Sequence, residues 1–418
     1  MAATAKKPKG NVVAGATVAL VLLTAMNFVN YIDRYILPAV QEQIKGEFRL
    51  TDNQIGSLTF WFMVAYMASS PFTGWLGDRF PRKWMIVAAA LLMSAGNFFT
   101  ADVHSYLSLN IRHAVLGIGE ASFGIFAPSM LADFYTEEQR NRVLTVFNVA
   151  IPVGAALGIL AGGAIGARYG WRSSFLLSAI PGTVIALLVA LFMRESPRRD
   201  RAGEKPRVEK EVLLSLLRNK AYLGAVFGYA AVTFSLGGIS WWMSSFLQRM
   251  NGYTQTQASA IIGPIIVVGG LGGTIAGGML AQWWLKRTDR ALYYVPALSA
   301  LLAFPPALLC FFGPRVMTIP ALAVAVFLIF LGTGPVNAAT LNAVPANMRA
   351  TAMAGQLLVI HLFGDMSSPK IIGIVSDYWN LRVGLGVTLI MFVIAAIIFW
   401  AGSRFAPKLH EGEYEAVA

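Results

Sequence analysis

Charge is scarce in this sequence. Of its 418 residues only 13% are Asp, Glu, Lys or Arg, about half the share of an ordinary soluble domain. A water-facing surface of normal make-up is excluded, and a 56% hydrophobic content points to the bilayer. Cysteine is nearly absent. A single Cys310 cannot form an internal disulfide, so no redox compartment follows. Histidine is rare too, and the four residues at 104, 113, 361 and 410 do not gather in sequence, so no metal centre is expected. There is no Gly-x-x-x-x-Gly-Lys-Ser/Thr segment, which leaves no P-loop for nucleotide hydrolysis. No cofactor is expected.

What fills the chain is apolar. Twelve runs, near 12–40, 54–76, 84–101, 105–133, 142–168, 172–193, 221–249, 257–285, 291–312, 317–344, 350–377 and 382–405, approach or exceed the length that crosses about 30 Å of hydrocarbon. The first run is too long for a signal-peptide core and should remain as an anchor. The net charge of +12 sits in short loops, which argues against a nucleic-acid partner. With the N-terminus in the cytoplasm, 23 of the 33 Lys and Arg fall on that side, 7 on the other and 3 within spans. That asymmetry sets both chain ends in the cytoplasm.

One long polar break, 194–220, divides the chain into halves, 1–193 and 221–418. Val208, Val212, Leu213, Leu216 and Leu217 recur within it at helical spacing, which predicts an amphipathic helix at the membrane surface; a solvated linker is the plain alternative. The halves echo each other. Gly74-Trp-Leu-Gly-Asp78-Arg79-Phe-Pro-Arg82-Lys83 follows the second run, and Gly278-Met-Leu-Ala-Gln282-Trp-Trp-Leu-Lys286-Arg287 follows the eighth. The expected fold is an all-α integral membrane protein, with twelve helices in two pseudo-symmetric bundles of six. Such halves place a substrate site between them near the midplane.

The Gly74–Lys83 segment resembles the loop motif of the major facilitator superfamily, with Pro81 in place of its second glycine. Asn30-Tyr-x-Asp33-Arg34-Tyr, Arg112-x-x-x-x-Gly117-Ile-Gly119-Glu120-Ala-Ser and His361-Leu-x-Gly364-Asp365-x-x-Ser-Pro369 resemble its Spinster branch, in a compact, bacterial-looking form. The resemblance implies a secondary transporter for a lysolipid, sphingoid phosphate or similar amphiphile, working by alternating access with proton coupling. It further implies a monomer in the bacterial inner membrane. A facilitative uniporter or a drug/proton antiporter on the same fold is the alternative reading. A membrane-embedded lipid enzyme is a remote one, since no nucleophile has a visible base.

Several residues stand out because ionisable groups inside a membrane are functional by default. Asp33 and Arg34 point about 100° apart on a helix, so each must find a partner elsewhere. Glu120 lies among Gly117, Gly119 and Ala121, small neighbours that admit another helix or water. Arg112 lies roughly 12 Å along the same helix and about 80° around it. Arg112 is a candidate partner for Asp33 or for a substrate phosphate or carboxylate. His361 and Asp365, four apart, share a face. Asp33, Glu120, His361 and Asp365 are the candidate proton carriers, with Arg34 and Arg112 as charge partners or head-group ligands. Static packing pairs are the alternative for each. By resemblance, Gly74, Asp78, Arg79, Arg82 and Lys83 form a cytoplasmic gate, to which Asp133 and Arg140 in the next loop on that side are added. Asn27, Tyr31, Phe60, Tyr66, Trp241, Trp242, Asn337 and Asn342 are candidate cavity residues, although aromatics also serve as interface anchors. Gly154, Gly158 and Gly162 predict a close helix seam.

Overall fold

The computed structural model describes residues 13–196, 210–345 and 348–408. Lys6, Lys7, Lys9, Val208 and His410 lie outside the described residues. The first half contains α1 (Ala16–Phe48), α2 (Asp52–Arg79), α3 (Arg82–Thr100), α4 (Tyr106–Phe134), α5 (Glu137–Tyr169) and α6 (Trp171–Phe192). A short helix, α7 (Lys210–Arg218), leads into the second half. There follow α8 (Lys220–Asn251), α9 (Gln255–Leu285), α10 (Ala291–Phe312), α11 (Thr318–Leu331), α12 (Thr333–Asn342), α13 (Arg349–Ile360), α14 (Ser368–Tyr378) and α15 (Leu381–Gly402).

Eleven of the described helical segments are long and apolar enough to cross a membrane, and the 28-residue α2 makes the twelfth span. The tenth span is divided at Gly332 into α11 and α12, and the eleventh is divided by a π-turn over His361–Asp365. The break sits at Gly364, whose φ of −101° and ψ of −107° are not helical. Pro369 lies past this break, in the first turn of α14, where it has no N–H to lose.

An even number of spans puts the start of α1 and the end of α15 on one side, the near face. On the opposite, far face, Thr51–Gln54 and Thr254–Gln257 form reciprocal capping boxes for α2 and α9. Asn380 caps α15 there, and Gly252, at φ 68°, ends α8. α1 runs past the predicted edge at 40 to Phe48. Its extra two turns carry Glu42, Lys45 and Glu47, which find ionic partners outside the hydrocarbon.

The predicted glycine seam is present. Gly154, Gly158 and Gly162 of α5 lie against Phe28, Ile32 and Ile36 of α1, with backbone meeting backbone at the first two. This approach holds α1, and with it Asp33 and Arg34, firmly in the first half. α7 exposes Leu213, Leu214 and Leu217 and buries Leu216 against Tyr222, Val344 and Ala352, the pattern of an amphipathic surface helix.

Candidate functional site

The halves meet along the far face. Gln41 of α1 donates to the carbonyl of Trp241 (3.0 Å) and to Ser245 Oγ (2.8 Å) on α8. Gln255 of α9 donates to the carbonyl of Gly163 on α5 (3.0 Å). Arg249 at the end of α8 bridges two acids of the first half. Its Nε and Nη2 donate to Glu42 at 2.7 and 2.5 Å, and its Nη1 donates to both oxygens of Asp52 at 2.8 Å. Asp52, buried, also takes Lys45 and the hydroxyl of Ser376. Asp377 of α14 in turn accepts the backbone N–H groups of Asp52 and Asn53, at 2.7 and 2.9 Å, the free donors of the α2 N-terminus.

Nearer the other face the halves enclose a cavity of about 610 Å³, within the usual range for a small-molecule site. Its first-half wall carries Asn27, Asn30, Tyr31 and Arg34 from α1, Tyr66 from α2 and Glu120 from α4. Phe123, Ile125, Phe147 and Ile151 continue that wall as apolar surface, and Leu357, Leu358 and His361 supply part of the second half's wall. The charged groups thus collect at the deep end, and toward the near face the lining is mainly apolar, with Asn27, Ser70 and Asn148 among it.

Arg34 finds its partner in Glu120, with Nη1 3.5 Å from Oε2. That is longer than a direct charge-assisted hydrogen bond of about 2.7–2.9 Å. The guanidinium also lies over the Phe62 ring, 5.3 Å from its centroid. Asp33, one residue away and about 100° around the helix, does not line this cavity. It is 9% exposed, and its Oδ1 has no hydrogen-bond partner among the described residues. Asn97 of α3 and Ser178 of α6 are the polar side chains near its carboxylate. His361 Nδ1 sits 3.0 Å from Asp365 Oδ1 and 3.1 Å from Oδ2. The π-turn preserves this pair and directs the His361 ring toward Tyr66, 6.1 Å away.

Other predicted residues lie elsewhere. Arg112 joins neither carboxylate: its guanidinium lies over Phe99 of α3 at 5.6 Å, and its Nη1 is buried without a partner among the described residues. Asn27, Tyr31 and Tyr66 line the cavity. Trp241, Trp242, Phe60, Asn337 and Asn342 do not. Trp242 is fully buried and donates its indole N–H to the carbonyl of Pro369 at 2.9 Å. Trp241 is held in the far-face seam by Gln41, and Phe60 lies beneath the Lys370 ammonium at 4.4 Å. Asn337 accepts from Gln356 at 2.7 Å, and the amide nitrogen of Asn342 is buried with no partner among the described residues. Helix register and break points, which these packed positions depend on, set which side of a span meets the cavity.

The predicted gate residues gather at the near face. Arg82 pairs with Asp133, Arg140 Nε donates to the Ala132 carbonyl at 2.9 Å, and Arg79 stacks on Trp75 at 3.8 Å. Lys83 approaches Trp84 at 5.1 Å, and Gly74 has open space where a side chain would be. The side chain of Asp78 lies outside the described residues. These contacts run within the first half.

A sequence model of the Major Facilitator Superfamily matches residues 23–364. Protein spinster homolog 1 of Homo sapiens is 31% identical over 382 residues, covering 85% of this chain and 72% of that protein. The chain belongs to the major facilitator superfamily, in its Spinster-like branch. The sphingosine-1-phosphate transporter SPNS2 of Xenopus tropicalis is 27% identical over 387 residues, 85% of this chain and 73% of that one. Among solved structures, a bacterial homologue of the human lysosomal transporter Spinster, inward-facing and unoccupied, superposes with a TM-score of 0.85 at 23% identity. That match covers 96% of this chain and 98% of the other. A D-xylose-proton symporter gives a TM-score of 0.77 at 17% identity, covering 94% and 98%. This Spinster-like protein is a multi-pass membrane transporter rather than an enzyme.

Sequence reasoning passed over the Arg249–Glu42–Asp52 bridge, because Arg249 was counted only as loop charge and Glu42 and Asp52 were not weighed. It also passed over His113, a buried wall residue behind the cavity. A count of seven residues, two turns, from His113 to Glu120 would have put them on one face.

Proposed function

We propose that this transporter carries an amphiphile of the lysolipid or sphingoid-phosphate class, driven by protons, from a cavity open to the cytoplasm. The observation that carries this reading is the graded cavity. An ion pair, Arg34–Glu120, lies at its deep end, and Phe123, Ile125, Phe147, Ile151, Leu357 and Leu358 line the way out. A charged head group fits the first and an acyl chain the second. The relative named for sphingosine 1-phosphate supports the same class. The excess of Lys and Arg in near-face loops supports a cytoplasmic near face, hence an inward-facing state, in a monomer of the bacterial inner membrane.

Proton coupling rests on Asp33 and Glu120. A carboxylate buried in a membrane is stable only when paired or neutral. Glu120 has Arg34, and Asp33 has no cation within ion-pair distance among the described residues. Protonation of Glu120 releases Arg34 to a substrate anion. Two measurements test this. In a thermal-shift screen against lysophospholipids, sphingoid phosphates and amphiphilic drugs at several pH values, an amphiphile of the proposed class should raise apparent stability. In proteoliposomes, a fluorescent lysophospholipid should move faster under a pH gradient, and Glu120→Gln and Asp33→Asn should remove that acceleration. Transport indifferent to the gradient would make the protein a facilitative uniporter.

A further inference from the structure

Behind the cavity lies a second, much smaller space. Asn30, Asp33 and Arg34 of α1, Phe62 of α2, Met93 of α3, and His113, Leu116 and Glu120 of α4 enclose about 10 Å³. Asn30, Arg34 and Glu120 belong to both spaces, so the Arg34–Glu120 pair stands between them. A space of that size takes about one water, provided that polar groups line it. Here they do. Asn30 Oδ1 and Asp33 Oδ1 are buried acceptors without partners among the described residues. His113 is 7% exposed, tilted against the Phe62 ring at 5.1 Å, and hydrogen-bonded to no described residue. Two unpaired buried oxygens, with an imidazole lining the same small space, are costly unless something joins them. A metal cation is a poor occupant, because the Arg34 guanidinium shares the wall.

We propose that His113 anchors a single water in this chamber, and that the water carries the proton between Glu120 and Asp33. The water accepts a hydrogen bond from the His113 ring N–H and donates to Asp33 Oδ1 and Asn30 Oδ1. When Glu120 is protonated and Arg34 turns away, the Glu120 O–H bond breaks and its proton joins the water oxygen. One water O–H bond breaks in the same event, and that proton joins Asp33. The water is regenerated, Glu120 becomes a carboxylate and Asp33 becomes neutral. His113 is thus a positioning residue that acts through the water. The charged and titratable groups around it are Asp33 and Arg34 from α1 and Glu120 from its own helix, with Tyr31 of α1 and Tyr66 of α2 beyond the pair on the cavity side. The chamber-lining residues of α2 and α3, Phe62 and Met93, carry no charge.

The inference rests on the proton-linked reading above, and its test needs no transported substrate, so the two can fail separately. Purified protein in lipid is moved from H₂O to D₂O, and the infrared carboxylic-acid band assigned to Asp33 by its loss in Asp33→Asn is followed in time. His113→Phe fills the ring space without a hydrogen bond and should slow exchange at Asp33 by about tenfold, the effect of roughly 1.4 kcal/mol on a barrier. His113→Asn keeps a hydrogen-bonding group and should exchange near the wild-type rate. An unchanged rate in His113→Phe overturns the proposal. So does His113→Asn slowed as much as His113→Phe, because packing alone would then explain the effect. If His113→Phe fails to fold, Asn30→Leu, which removes an acceptor at similar size, must slow exchange, and an unchanged rate there overturns the proposal equally.

Discussion

The two faces of this transporter are built from similar residues to different ends. At the far face Arg249 reaches across from the second half to Glu42 and Asp52, and Asp377 reaches across to the α2 backbone. At the near face Arg82 and Asp133 make an ion pair as well, yet both belong to the first half. Glu195, at the start of the polar break that follows the first half, accepts the backbone N–H groups of Arg82 and Lys83 at 3.0 and 2.9 Å, again without reaching the second half. A charge pair that crosses the seam weights the balance between conformations, because moving the halves breaks it. A pair within one half moves as a rigid part and weights nothing. Location relative to the seam, more than the strength of the pair, decides whether an ion pair acts as a gate in this state.

The sharpest way to break the contrast is to remove Arg249. Arg249→Ala leaves Glu42 without its cation and Asp52 with Lys45 alone. Truncating one partner of such an interfacial charge pair costs about 2–5 kcal/mol. Only the far-face-closed state loses that energy, so the ratio of conformers should shift by about thirtyfold or more. Spin labels on cysteines introduced in the two halves would read the change as longer far-face distances. Cys310, the one native cysteine, is buried. Far-face distances identical to wild type would show that the bridge is decorative.

The Arg249 bridge also shows what the sequence could not reveal. Hydrophobic runs gave twelve spans and two halves, because burial in lipid depends on composition over some twenty residues. Asp33 and Glu120 were legible because charge in a membrane is expensive wherever it points. The choice between neighbours was not legible. Arg112 and His113 differ by one step of 100°, and only the packing of α4 on α3 and α1 turns His113 to the chamber and Arg112 to Phe99. Trp241 and Trp242 were misplaced for the same reason. Lys45 and Arg249 were counted correctly as far-face charge, but nothing in one sequence says that α1 and α8 end side by side.

A smaller effect should follow from a methyl group. Gly373 of α14 lies where a Cβ would strike the backbone carbonyl of Asp52, so Gly373→Ala wedges the halves apart without touching a charge. Overpacking of this kind costs about 1–3 kcal/mol. The same spin-label distances should lengthen at the far face, by a smaller shift in population than for Arg249→Ala. If Gly373→Ala lowers thermal stability but leaves the distances alone, the strain is absorbed inside the second half, and the seam is held by the ionic bridge without need of close backbone contact.

The smallest expected effect belongs to Arg82→Ala, and it tests the other side of the comparison. Removing Arg82 leaves the buried Asp133 carboxylate without its ion-pair partner. An orphaned buried acceptor costs about 1–3 kcal/mol, more when charged, so the melting temperature should fall. The far-face and near-face distances should nevertheless stay as in wild type, because both partners sit in the half that moves as a unit. A near face that opens more often in Arg82→Ala would carry a different meaning. Arg82 would then contact the second half when the near face is shut, a state in which the same ion pair could be exchanged for one across the seam. That outcome would support the gating role that the Gly74–Lys83 motif suggests by resemblance, and it would make the two faces alternate users of one device.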